Sequence, residues 1–320
     1  EDIVKAISLL LEIGTQANFP EEEIEIEKGV VIDEIISYKD SPSEDIFDCF
    51  EKKFFNSHPL GRLTLGTEDS VKSTSRDDLI KYYKRYFKAT NMVLSIVCDM
   101  DEKKLDKSVR ELSLKYFKND NQIKVNTPSE RHILTHPEIF TIKEDKDNHE
   151  ANLLIGALAP SLYDNDRAST ILLANILGGP ASNSLLNANL REKHGWVYAS
   201  ECSYAQYSDA GLLTISIGCD KENLSKCIRA ITNIINRLKN RPLSEKYLKA
   251  SKKQLFGQLA ISSDSKESKC LSMGKSVLAF GHVISEEETK QLINSVTSDD
   301  IQVLCQKLWD KDNYSQLLYL

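Results

Sequence analysis

Long hydrophobic runs are absent from this 320-residue chain. Its best candidate, residues 7–13, falls far short of the roughly 18–20 apolar residues of a membrane span. A surplus of positive charge is absent too. The 41 Lys and Arg are outnumbered by 48 Asp and Glu, and a net charge of −7 excludes a general nucleic-acid binder, which needs a basic stripe. Cysteine pairing is the third absence. Cys49, Cys98, Cys202, Cys219, Cys227, Cys270 and Cys305 include no C-x-x-C pair, so neither a zinc knuckle nor a disulfide framework is expected. The seven thiols read as free and mostly buried. No initiator methionine or signal peptide opens the chain, and Glu1-Asp2 stands at the head of an amphipathic helix (Ile3, Ile7, Leu10, Leu11). The expectation is a true N-terminus elsewhere and a soluble protein of cytoplasm or periplasm, with the compartment itself not legible.

Present instead is an ordinary globular mix, 41% apolar and 28% charged, at a length that suggests about two domains. A repeat supports that division. Residues 74–79 lead a helix through Tyr83 and Phe87 to Asn91, followed by a strand over 92–97. Residues 297–301 lead a helix through Leu304 and Leu308 to Asn313, followed by a strand-like 317–320. Ser75 with Asp78, and Thr297 with Asp300, each supply a capping hydroxyl and an acid three residues on. Thr74 to Thr297 is a step of 223 residues; Phe19-Pro20 to Arg241-Pro242, each before a helix, is a step of 222. Position 1 then matches position 224 of a second copy that starts near Ile139, so the first copy is expected to lack about 85 residues at its front.

The second copy reads as strands over 138–142 and 151–158, a helix over 167–177 stopped by Gly178-Gly179-Pro180, and a short helix over 182–193. A hairpin of 197–207 with 211–217 and helices over 221–238, 244–259 and 266–281 follow. Strands grouped before helices indicate an α+β fold with a mixed or antiparallel sheet, one face covered by helices. The expected architecture is two homologous α/β rolls. The first spans 1–125 without its opening strands and helix, a connector spans 126–137, and the second roll spans 138–320.

The most informative stretch is residues 25–35, Glu-Ile-Glu-Lys-Gly-Val-Val-Ile-Asp-Glu-Ile. Glu27 and Glu34 lie seven apart, about two helical turns, and so share one azimuth, with Val30 and Val31 between them. A buried carboxylate must be paired, protonated or bound to metal. The residues equally suit an acid-rich helix start with solvated side chains.

This stretch resembles the segment of pitrilysin/insulinase zinc metallopeptidases that follows their inverted H-x-x-E-H helix. The resemblance continues through Asp40-Ser41-Pro42, Phe54-Phe55-x-x-His58-Pro59-Leu60-Gly61-Arg62, Leu65-Gly66-Thr67-Glu68, Leu79-x-x-Tyr82-Tyr83 and Asn91-Met92-Val93. It resumes at Leu177-Gly178-Gly179, Leu190-Arg191-Glu192-Lys193-x-Gly195, Tyr198 and Val296-Thr297-x-x-Asp300, and so covers nearly the whole chain. By matching positions it implies Glu34 as the metal-binding glutamate and Glu27 as its supporting acid. It implies Arg191 and Tyr198 as the pair that holds the scissile carbonyl. The activity implied is zinc-dependent cleavage of peptide or unfolded polypeptide, the metal polarising a carbonyl and activating water. From the residues alone, Arg191 also reads as a surface cation paired with Glu192 or Glu201, and Tyr198 as an ordinary strand aromatic.

One departure bears on activity: H-x-x-E-H occurs nowhere. His132 and His136 have i, i+4 spacing, but no glutamate lies between them and Pro137 follows, so they are not read as ligands. His58, His149, His194 and His282 are isolated. A catalytic zinc site needs three protein ligands, so this chain is expected to hold no zinc alone and to be inert. The family includes enzymes that work as unequal pairs, which makes a homo- or hetero-dimer one expectation and a non-catalytic partner subunit or peptide-binding module the rival reading. A structural core subunit of a respiratory complex is a third reading, which the retained Glu27, Glu34, Arg191 and Tyr198 disfavour.

Overall fold

A computed structural model describes residues 2–117, 133–146 and 150–320. The helices begin where the caps place them. Thr297 and Ser75 each form a capping box, the hydroxyl accepting from the backbone of Asp300 or Asp78 while that carboxylate receives the cap's own N–H. In chain order the helices are α1 (Asp2–Thr15), α2 (Glu21–Lys39), α3 (Pro42–Phe55), α4 (Glu68–Ser73), α5 (Arg76–Tyr86) and α6 (Glu102–Tyr116). The later ones are α7 (Arg167–Gly178), α8 (Leu224–Asn240), α9 (Glu245–Ser263), α10 (Lys266–Phe280), α11 (Glu286–Ser295) and α12 (Ser298–Leu308). The strands are β1 (Thr141–Glu144), β2 (Glu150–Ala159), β3 (Val197–Gln206), β4 (Gly211–Asp220) and β5 (Tyr314–Tyr319).

Packing divides the chain into two compact units that are not colinear with the sequence. One gathers the described residues of 1–33, 67–130 and 259–285; the other gathers those of 34–66, 131–258 and 286–320. In the second unit the five strands form one mixed sheet, ordered β1-β5-β2-β4-β3, with β1 and β5 parallel and the other neighbours antiparallel. The fold is α+β. Strand alternation sends Leu153, Ile155, Leu213, Ile215 and Ile217 to one face, where they join Leu172, Leu173 and Leu177 of α7 and Ile301, Leu304 and Leu308 of α12. Leu154, Leu212, Leu317 and Tyr319 point to the other face.

That second face is covered as well, contrary to the one-sided sheet expected from the sequence. Ile46, Phe50, Phe54 and Phe55 of α3 pack on it, all buried, with Phe140. Gly156 of β2 permits the approach, since a Cβ there would lie 2.4 Å from the Phe50 ring. The reason is plain in the composition of α3: its aromatic stripe carries too much apolar area to face water.

The first unit contains no strand among the described residues. The strand expected over 92–97 is therefore a correction. Residues 92–98 carry strand composition but join no ladder, and β structure exists only with a hydrogen-bonding neighbour. All seven thiols are free, four of them buried, and burial pushes those of Cys219 and Cys305 up to about 12. No described helix is long and apolar enough to cross a membrane.

Candidate functional site

Glu27 and Glu34 lie on α2, whose first turn is acidic through Glu21, Glu22 and Glu23 and suits the positive end of the helix dipole. Both carboxylates are exposed, so the solvated alternative of the sequence describes their surroundings better than burial does. Val30 is exposed too, at 53%. The neighbouring cation is occupied: Lys28 pairs with Glu25 at 2.8 Å and donates to the Lys72 carbonyl at 3.4 Å. Among the described residues, neither Glu27 nor Glu34 has a hydrogen-bond or ion-pair partner. Glu27 borders a cleft of about 580 Å³ within the first unit, whose walls include Phe19, Pro20, Ile24, Val31 and Leu79. Arg76 holds the backbone of two of the cleft's lining residues, donating to the Phe19 and Asn18 carbonyls at 2.7 and 3.0 Å.

Arg191 and Tyr198 lie in the second unit, on consecutive elements. Arg191 belongs to a π-helical turn, Asn187–Glu192, and Tyr198 to β3; both are exposed, Tyr198 at 56%. Gly195 makes the link. Its N–H bonds to the Arg191 carbonyl at 2.9 Å, its φ is +62°, and Trp196 N–H closes on the Leu190 carbonyl at 2.9 Å. Only a residue tolerant of the left-handed region turns the chain this sharply from helix into strand. The strand then gains one residue: Val197 pairs with Cys219 and Ala199 with Gly218, which leaves Tyr198 as the extra residue of a β-bulge. The bulge swings its side chain away from the alternation of the strand. Its hydroxyl donates to Asp220 at 2.5 Å, and this bond, ahead of partial desolvation and the Asp220 charge, holds the phenol above its ordinary pKa.

Asn187 had no sequence signal, and Gly178, read in the sequence as a helix stop, also sets a packing distance. Asn187, buried, donates to the Gly179 carbonyl at 3.3 Å and Ser184 Oγ at 3.0 Å, and accepts from Ser200 Oγ at 2.8 Å. One side chain thus ties the glycine loop, the Arg191 turn and β3 together. Gly178 brings α7 against β3 so closely that a Cβ would sit 2.2 Å from the Cys202 nitrogen. Beside Arg191, the His194 ring stacks on Trp196 at 4.0 Å and 7°, with Lys226 over the other ring at 5.9 Å. The hairpin register counted from the turn places Cys219 opposite Tyr198, so neither Asp220 nor the bulge that aims Tyr198 at it was recoverable from the sequence.

No group of three His, Cys, Asp or Glu among the described residues is arranged to hold a metal. His136 lines a cleft of about 610 Å³ with His58 and Glu138, while His132 and His149 lie outside the described residues. In that cleft Glu138 faces Lys53 at 3.6 Å and His58 Nδ1 accepts the Leu60 N–H. Glu34 alone is an incomplete donor set for zinc, which takes three protein ligands in catalytic sites.

Comparison with known proteins gives a family. Residues 73–255 match the family model described as peptidase M16 inactive domain. That span includes Arg191 and Tyr198 but not Glu27 or Glu34. A Bacillus subtilis protein named an uncharacterized zinc protease is 28% identical over 309 residues, 96% of this chain and 73% of its own length. One from Rickettsia bellii with the same description is 28% identical over 302 residues, 94% of this chain and 71% of its own. Among solved structures, a protease from Helicobacter pylori aligns with a TM-score of 0.85 at 18% identity, covering 99% of this chain and 76% of that one. A peptidase M16 inactive domain from Pseudomonas fluorescens aligns at 0.82 and 19%, covering 98% and 74%.

Proposed function

The chain belongs to the peptidase M16 family, and from that membership we propose that it forms part of a zinc metalloendopeptidase, supplying one metal-binding carboxylate and the groups that hold the substrate. In this reading Glu34 is the metal ligand, Glu27 the second acid on the same helix face, and Arg191 and Tyr198 the donors to the scissile carbonyl of a peptide. The observation that carries it is the pair of exposed, partner-free carboxylates two turns apart on α2. An ionised carboxylate with no internal partner is available to a metal, which needs its ligands deprotonated. Those ligands would come from polypeptide outside the described residues.

The groups of this chain act by binding and orientation. Arg191 offers a fork of N–H donors and Tyr198 a single O–H, which together can receive one carbonyl oxygen. Because the Tyr198 hydroxyl already donates to Asp220, a substrate carbonyl must displace that carboxylate. The test is photo-crosslinking with an unfolded peptide carrying a photoreactive residue. Labelling should fall within residues 187–198 and drop in Arg191→Ala and Tyr198→Phe; labelling elsewhere, or unchanged in both variants, would remove the proposed role.

A second reading has its own observation. The family description is that of an inactive domain and the described residues assemble no metal site, which suits a non-catalytic partner that presents peptide to an active subunit. Mixing the chain with a zinc-bearing relative and following peptidase turnover separates the two readings. Stimulation of that relative supports the partner role, and indifference removes it.

A further inference from the structure

Charge is divided unevenly along this chain. Residues 223–258 hold nine Lys and Arg against a single acid, Glu245, a local charge of +8 in a chain of −7. The stretch forms α8 and most of α9. Cys227, Ile231 and Leu238 of α8 and Leu248 and Leu255 of α9 are buried in the second unit's core, which leaves the opposite side of each helix to the charges. Two of the nine cations serve the fold. Lys239 donates to the Trp309 carbonyl at 2.9 Å, and Lys252 to those of Asn294 and Val296, at the C-terminal ends of α12 and α11. The other seven are exposed. Lys226, Arg229, Arg237 and Arg241 lie on α8 or just past it. Lys246, Lys249 and Lys253 recur at i, i+3 and i+7 on α9 and share its outer face. Burial raises the Tyr247 phenol and the Arg237 charge opposes that rise, which puts the end of α8 beside the start of α9.

Surface cations ordinarily stand among carboxylates. Among the described residues none of these seven forms an ion pair, although the chain has 48 Asp and Glu. The face is also bare of apolar contact, since no large apolar or aromatic side chain of 199–258 is exposed. Its other exposed positions on α8 include Thr232, Asn233 and Asn236, which are neutral hydrogen-bonding groups. Such a face offers no ring on which a base could stack and no pocket for an anchoring side chain. What it offers is positive charge spread over two helices. We propose that α8 and α9 form a basic face that adsorbs to an anionic lipid bilayer, meeting the phosphate headgroups and inserting nothing. A headgroup layer presents negative charge across a plane, so cations on neighbouring helices engage it together. The same contact relieves the repulsion among unpaired cations. Adsorption of this kind holds a chain at a membrane without a spanning helix.

Co-sedimentation of the whole chain with vesicles tests this, using phosphatidylcholine alone and phosphatidylcholine mixed with phosphatidylglycerol. The chain should pellet with the mixed vesicles at low salt and stay in solution with the neutral ones. It should be released at about 1 M salt, where the screening length is about 3 Å. Lys246→Gln, Lys249→Gln and Lys253→Gln combined should weaken binding about 10²-fold, at about fivefold for each cation near an anionic surface. Lys103→Gln, Lys104→Gln and Lys107→Gln on α6 remove the same charge from another helix and should leave binding nearly unchanged. Both triple variants should melt with the parent, since all six side chains are exposed. No binding to the mixed vesicles, equal binding to the neutral ones, or equal loss in the two triple variants overturns the proposal. So does tighter binding to duplex DNA than to the mixed vesicles at equal phosphate, which would make the partner a nucleic acid. Pelleting without vesicles, lost in the α9 variant alone, would make the partner a second copy and overturns it as well.

Discussion

The hydroxyl of Tyr198 donates to the carboxylate of Asp220 at 2.5 Å, from the one position where β3 holds a residue that β4 does not oppose. A phenol has a single O–H, so Tyr198 cannot donate to a carbonyl and to Asp220 at once. Asp220 therefore acts as the resting partner of a hydroxyl proposed to bind substrate.

Replacing that partner should release the phenol. In Asp220→Asn, the ultraviolet titration of Tyr198 should move down toward the ordinary tyrosine value, because the bond and the neighbouring charge that favour the protonated form are weakened together. The sign of the linked stability follows. A group whose folded pKa is raised contributes fully below its unfolded value, about 10 for tyrosine, and loses the contribution as pH rises through the folded value. The wild type should thus lose more stability than Asp220→Asn between that value and more alkaline pH.

The two glycines around Arg191 should fail for different reasons. Gly195→Ala meets no atom within 4 Å but must adopt φ +62°, at a cost of about 1–2 kcal/mol. Gly178→Ala places a methyl 2.2 Å from the Cys202 nitrogen, so α7 must lift from β3 and the loss should be greater. Urea melts rank them. Gly195→Asn, tolerant of that region, should recover part of the loss, whereas no side chain should rescue position 178.

Asn187→Ala should cost about 1–3 kcal/mol, since it strands the buried Gly179 carbonyl and Ser200 hydroxyl. It should also mobilise the Arg191 turn, seen as faster exchange over 187–198 with the α12 amides unchanged.

The capping acids make an acid-side expectation. Asp78 is held below the usual carboxylate range first by the Ser75 hydroxyl, and Asp300 first by the Thr297 backbone N–H. A depressed folded pKa contributes above the unfolded value, about 3.9, and is lost as pH falls through the folded one. The double variant Asp78→Asn, Asp300→Asn should show a flatter acid limb below that pH than the wild type.

Much of this was legible because it was local. The capping boxes at Ser75 and Thr297, the hairpin of β3 and β4, and the stop at Gly178-Gly179 follow from spacing and turn chemistry within a few residues. The side on which α3 packs was not legible, because its aromatic stripe finds Leu154, Leu212 and Leu317 more than 90 residues away. Nor was the unpaired state of 92–97, whose composition suits a strand but which joins no ladder among the described residues. At the site, Glu27, Glu34, Arg191 and Tyr198 came from resemblance. Asn187 and the bulge under Tyr198 came only from coordinates, since a one-residue insertion in a ladder leaves no mark on periodicity.

Central to this account is the proposal that Glu34 is one ligand of a zinc site whose other ligands are not assembled among the described residues. Elemental analysis of zinc in the purified chain after dialysis, beside Glu34→Gln, tests it most directly. The expected result is far less than one zinc per chain in both proteins, because a single carboxylate does not retain the metal. One tightly held zinc per chain in the wild type, lost in Glu34→Gln, would contradict it.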